Sequence, residues 1–243
     1  MTKLSVNINK FATLRNARGG NNPNVVQAAV DCQRFGAQGI TVHPRPDERH
    51  ITYQDVLDIM PVITTEYNIE GYPDARYLEL ISRVKPTQAT LVPDGPDVIT
   101  SNAGWDTINN REFLEEIIGE LKRLGIRSSI FIDPVPERIE KAAEIGCDRI
   151  ELYTEGYARA FQHDAQKAIE PYRSAALLAH ELGLEINAGH DLDMNNLKYF
   201  KHNIPFLAEV SIGHAIVCDA LYFGLENTVQ LYLRQLIEEN AIS

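Results

Sequence analysis

Short β-branched runs and helix-spaced apolar positions alternate along the whole chain. Residues 3–8 alternate as a strand does, and a basic, glycine-bearing loop follows with Lys10, Arg15, Arg18 and Gly19-Gly20. Pro23 opens a helix with small or apolar positions through Val30, closed by Gly36. Residues 39–42 read as a second strand, Thr52 as the N-cap of a helix reaching about residue 63, and residues 67–69 as a third strand. A helix over 74–84 leads to a strand over 89–92 and a long polar loop over 93–105. A helix over 110–124 and a strand over 127–132 come next, then a helix from Pro136 to Gly146 and a strand over 149–153. Residues 154–166 read as another loop before a helix that Gly183 ends. Strands over 184–188 and 209–212 flank a helix near 194–202, and one long helix runs from 215 to about 239.

Eight β-rich runs separated by helices argue for a parallel sheet, and eight units argue that it closes. The expectation is a single α/β domain over residues 1–243, a (β/α)8 barrel. A doubly wound open sheet is the competing architecture, weakened because no glycine-rich dinucleotide fingerprint follows the first strand. The 243 residues suit a barrel of this kind.

Composition changes this picture little: 44% hydrophobic and 23% charged residues suffice for a core. The net charge of -11 disfavours nucleic acid and anionic membrane as partners, but not a phosphorylated small molecule that senses only the local field. The first residues lack the apolar core of a signal peptide and no run reaches membrane-spanning length, so a cytoplasmic setting is expected. Cys32, Cys147 and Cys218 are far apart and form no CxxC pair, which predicts reduced, buried thiols.

The chemistry collects where strands end. The second strand stops at His43 and breaks into Pro44-Arg45-Pro46-Asp47-Glu48-Arg49-His50, a stiff basic loop. Asn7, Glu70, His190 and Gly213-His214 end strands one, three, seven and eight. In a closed barrel these ends share one rim. Glu70, between Ile69 and Gly71, suits a desolvated general base, and His43 and His190 suit proton traffic near neutral pH. Gly213-His214 lies at a strand-to-helix junction where free N–H groups attract an anion. Arg18, Arg45 and His50 could hold a second anionic group, Arg49 reads as structural or solvated, and Thr100 lies in a loop long enough to form a lid.

Seven blocks carry a family resemblance in order and spacing: residues 6–8, 12–19, 39–43, 49–51, 91–93, 187–190 and 212–215. Together they resemble the pyridoxine 5′-phosphate synthase family, ring-closing transferases of the deoxyxylulose-5-phosphate-dependent vitamin B6 route. The resemblance implies a TIM barrel with extra helical parts that mediate assembly, typically a homo-octamer. It implies condensation of 1-deoxy-D-xylulose 5-phosphate with 3-amino-2-oxopropyl phosphate, without metal or redox cofactor. It implies His43 and Glu70 as proton acceptors and His190 as a donor. It places Asn7 and Arg18 near the aminoketone phosphate, and Arg45, His50 and Thr100 near the sugar phosphate. Asp191, Gly213 and His214 complete the substrate contacts. The chain departs from the family's commonest form twice: Asn9-Lys10 stands where many members have Asp-His, and Asp191 where many have Gly. Two other functions compete. One is a metal-dependent lyase or hydrolase using His43, His190 and His214. The other is a phosphate-binding barrel without catalysis.

Overall fold

The computed structural model describes residues 1–93 and 103–237. Eight parallel strands close into one barrel in sequence order, β1 (Lys3–Asn7) pairing with both β2 (Gly39–Val42) and β8 (Leu207–Ile212). Between these run β3 (Glu66–Gly71), β4 (Gln88–Leu91), β5 (Arg127–Ile132), β6 (Arg149–Tyr153) and β7 (Glu185–Gly189). The closed barrel excludes the open-sheet alternative.

Among the described residues, eleven α-helices surround the strands. The early ones are α1 (Asn9–Arg18), α2 (Val25–Arg34), α3 (Tyr53–Ile59), α4 (Ala75–Val84) and α5 (Arg111–Leu124). The later ones are α6 (Pro136–Glu144), α7 (Glu155–Phe161), α8 (Ala165–Glu181), α9 (Leu197–Asn203), α10 (His214–Phe223) and α11 (Leu225–Leu236). Their starts follow local chemistry. Thr52 and Asp55 form a capping box on α3, and Asn24, Asp74 and Asp164 cap α2, α4 and α8 through their side chains.

The strands are buried throughout, but their two faces differ. Leu4, Val6, Ile40, Val42, Ile69, Ile130, Ile150, Ile186 and Val210 belong to the apolar core that the helices cover. The alternate positions are polar and equally buried: Ser5, Thr41, Asn68, Thr90, Ser129, Glu151, Asn187 and Glu209. Several pair across strands, Ser5 with Thr41 at 2.7 Å, Thr90 with Asn68 at 2.9 Å and Asn187 with Glu209 at 3.0 Å. Near the strand starts Arg149 bridges Gln88, Glu185 and Glu209. The barrel therefore has a polar interior wrapped in an apolar shell.

Four expectations are corrected. The basic loop after β1 is a helix, α1, which buries only Ala12 and Arg15 and so shows no apolar stripe. Tertiary contacts hold it instead: Arg15 forks onto Asp55 at 2.6 and 2.9 Å. The loop expected over 154–166 contains α7, whose one fully buried anchor is Tyr157. The long C-terminal helix is two helices, broken at Gly224 where φ is +75°. Cys32 and Cys147 are buried thiols, but Cys218 is exposed because it lies on the outer side of α10.

Candidate active site

At the C-terminal ends of the strands a cavity of about 440 Å³ is lined by Asn7, His43, Arg45, His50, Glu70, His190, Asp191, Gly213 and His214. Nine of the residues singled out in the sequence thus meet in one place. Lys10, Arg49, Glu151, Phe131 and Ser211 join them. Arg18 ends α1 on the exposed surface and does not line the cavity, and Thr100 lies outside the described residues.

One wall is built from β1, β2 and the loop that follows. The Asn7 side chain accepts from the Asn9 N–H at 3.1 Å, and the Asn9 side chain accepts from the His43 N–H at 2.9 Å. Two amides thereby tie the ends of β1 and β2 together. Behind the loop, Arg15 and Asn16 of α1 donate to the His50 carbonyl at 3.2 and 2.9 Å, and Glu48 accepts from the Tyr53 N–H at 2.7 Å. A loop held at so many backbone points presents its side chains in fixed positions.

His43 is 6% exposed, and its Nε2 has no hydrogen-bond partner among the described residues. Its Nδ1 lies 3.7 Å from a Glu70 carboxylate oxygen, beyond hydrogen-bond reach. Burial, then the charges of Arg45, His50 and Arg49, push its pKa down to about 3, with Asp47 opposing. The ring is a neutral base. Burial and the nearby cations Arg45, Lys10 and Arg49 likewise push His50 down to about 4. Arg49 is more than surface charge: it pairs with Asp47 at 2.6 Å and reaches the cavity.

Glu70, buried, receives the Asn7 amide at 3.5 Å. Across the barrel is Glu151, which strand-end reading passed over because it sits two residues before the end of β6. It is 3% exposed, and one carboxyl oxygen has no hydrogen-bond partner among the described residues. Burial, then repulsion from Glu70 and Glu209, raises its pKa well above the carboxylate range despite Arg149. The surroundings of Glu151 thus favour its protonated form. A glutamate at the inward phase of an apolar strand was the signal available in the sequence.

The adjoining wall comes from β7 and β8. A Cβ on Gly189 would stand 2.3 Å from a Glu151 oxygen, so glycine there makes room for the acid. His190 follows at φ +105°, with its Nδ1 2.6 Å from the Asp191 carboxylate. The Tyr153 ring meets it edge-on at 5.0 Å. A Cβ on Gly213 would be 2.8 Å from the Asn7 carbonyl, so glycine permits β8 to close against β1. Among the described residues no side chain caps α10, which starts at His214. Gly213 and His214 at this helix start line the cavity, a position suited to an anion.

The whole arrangement offers imidazoles, carboxyl groups and cations around one cavity. Comparison with other proteins agrees in fold and family. The family model described as pyridoxal phosphate biosynthesis protein PdxJ matches residues 4–238. The chain is 62% identical to the pyridoxine 5′-phosphate synthase of Cytophaga hutchinsonii, covering 97% of this chain and 99% of that one. It is 61% identical to the synthase of Flavobacterium johnsoniae, covering 97% and 100%. Solved structures share the fold at low identity. Tryptophan synthase from M. tuberculosis superposes with a TM-score of 0.66 at 13% identity, covering 98% of this chain and 93% of that one. Phosphoribosyl anthranilate isomerase from Thermotoga maritima gives 0.59 at 12%, covering 97% and 98%.

Proposed function

The chain belongs to the pyridoxal phosphate biosynthesis protein PdxJ family, and on that premise we propose that it is a pyridoxine 5′-phosphate synthase. In this reading it joins 1-deoxy-D-xylulose 5-phosphate to 3-amino-2-oxopropyl phosphate and closes the pyridine ring, releasing phosphate and water. The observation that carries the reading is one cavity lined by His43, Glu70, Glu151 and His190, with the His43 ring 3.7 Å from the Glu70 carboxylate. Two acyclic phosphates become an aromatic ring only through imine formation, proton shifts, dehydration and loss of one phosphate. Each step needs an acid or a base within reach, and the cavity supplies both.

The cations Lys10, Arg45 and Arg49, with a neutral His50 beside them, hold the sugar phosphate. The N-terminus of α10 with Gly213 and His214, assisted by Asn7, holds the aminoketone phosphate. His43 and Glu70 then accept protons from carbons activated by the imine, and His190 returns a proton to the leaving oxygen. Glu151 is a second proton source, held ready by burial. Asn9 supports the site by fixing the His43 backbone, so the departure from Asp at this position keeps a side-chain acceptor there.

The test is an assay with both phosphates, read by product absorbance and phosphate release. Glu70→Gln keeps the shape and removes the base, so turnover falls by about 10²–10⁴-fold with the fold intact by circular dichroism. Full turnover by that variant removes Glu70 from the mechanism, and absence of product with the native chain removes the reaction.

A further inference from the structure

Successive residues of an extended strand point to opposite faces, so adjacent side chains do not ordinarily meet. At the end of β7 they do. His190 takes φ +105°, a region costly for a residue with a Cβ, and the Asp191 carboxylate reaches its Nδ1 at 2.6 Å. Both residues line the cavity. The ring plane is set independently by the edge-on Tyr153 ring at 5.0 Å and by Phe131 at 6.4 Å.

From this geometry we infer that Asp191 is a positioning residue that holds His190 in its charged, Nδ1-protonated form and directs Nε2 at the substrate. The inference rests on the reading of His190 as the proton donor. A carboxylate at the ring's second nitrogen fixes its tautomer and stabilises the imidazolium. The same contact holds the Asp191 carboxyl below its usual range, so a carboxylate faces the ring nitrogen. The kink at His190 is what lets one residue support the other, so the conformational cost is borne where it orients a reacting group.

The charged surroundings of the pair can be named. Tyr153 faces it from β6, with Glu155 of α7 and Asp133 after β5 acting on that ring. Glu151 lies beneath Gly189, and His214 of α10 acts on Asp191.

The experiment compares the native chain with Asp191→Asn, an isosteric change that removes the charge. The imidazole of His190 is followed by nitrogen NMR across pH, and kcat and KM for both phosphates are measured over the same range. The expected result is a His190 titration midpoint lower by about one pH unit in the variant, since a neighbouring carboxylate of this kind shifts an imidazole on that scale. The alkaline limb of kcat moves down with it, KM changes less than about threefold, and Asp191→Glu recovers part of the shift. Identical His190 titrations in the two proteins overturn the pairing. A KM rise for the aminoketone with an unchanged titration also overturns it, assigning Asp191 to substrate binding instead. His190→Gln separates the premise: full turnover there removes the donor reading, whereas the NMR comparison judges the pair alone.

Discussion

His43 and His190 are the same residue at the ends of two strands of one barrel, yet the protein gives them opposite settings. His43 is 6% exposed, held through its backbone, and ringed by cations that join burial in keeping it neutral. The His190 side chain is 38% exposed, sits on a kinked backbone, and is in contact with a carboxylate. One environment favours the neutral imidazole, and the other sets a carboxylate against the ring. The difference teaches that the acid and the base of a site are assigned by what surrounds a titratable group, and that two copies of one side chain can serve as both.

The strongest way to break the comparison is to remove the buried member. His43→Gln keeps a polar side chain of similar size, and because the native ring is uncharged no buried charge is stranded. We expect kcat to fall by about 10²–10⁴-fold with little change in melting temperature, as measured by steady-state assay and thermal denaturation. A kcat within about threefold of native would leave His43 a wall residue and the contrast without consequence.

Much of this contrast was legible in the sequence, and what was not has physical reasons. The strands could be read because both faces of each are largely buried, so a β-branched run such as residues 39–42 stands out. Strand ends delivered Asn7, His43, Glu70, His190 and Gly213-His214 to one cavity, since closure of a barrel gathers them whatever their separation along the chain. Helix α1 was hidden because it is fixed by the Arg15–Asp55 pair rather than by an apolar stripe. With it were hidden Lys10, carried into the cavity on its first turn, and Asn9, which ties it to His43. Glu151 escaped because it lies within its strand, below the rim. The Asp191 contact depends on a backbone angle that no residue pattern announces.

A smaller effect sharpens the contrast between the two walls. Lys10 belongs to the cationic side, where it acts on His50 and faces the cavity. Lys10→Gln removes one charge-assisted contact, and we expect KM for the sugar phosphate to rise by about tenfold, or roughly 1.4 kcal/mol. The KM for the aminoketone should move much less, because the site proposed for its phosphate is the start of α10 rather than the cations around His50. Equal rises for both substrates would mean that the walls do not divide the two anions.

The smallest effect concerns Glu151, whose environment is the mirror of the one around His43: burial there withholds a proton from a base, and here it retains one on an acid. The folded-state pKa of Glu151 lies above the unfolded value, so the folded protein binds more protons than the unfolded chain in between. Its contribution to stability is therefore fully present below the unfolded pKa and is lost as pH rises through the folded one. Within that window each pH unit costs about 1.4 kcal/mol per group, which is about 3 °C in melting temperature for a chain of this length. Glu209, raised by burial as well, adds a loss of the same sign. Depressed carboxyls such as Asp55 and Glu66 gain their stability at lower pH and leave the window alone. In Glu151→Gln the Glu209 loss remains and the Glu151 loss disappears, so the decline of melting temperature from about pH 5 upward becomes shallower by about 3 °C per pH unit. Parallel melting curves for the two proteins across that range would mean that Glu151 is ionised in the fold, and the acid would have to come from His190 alone.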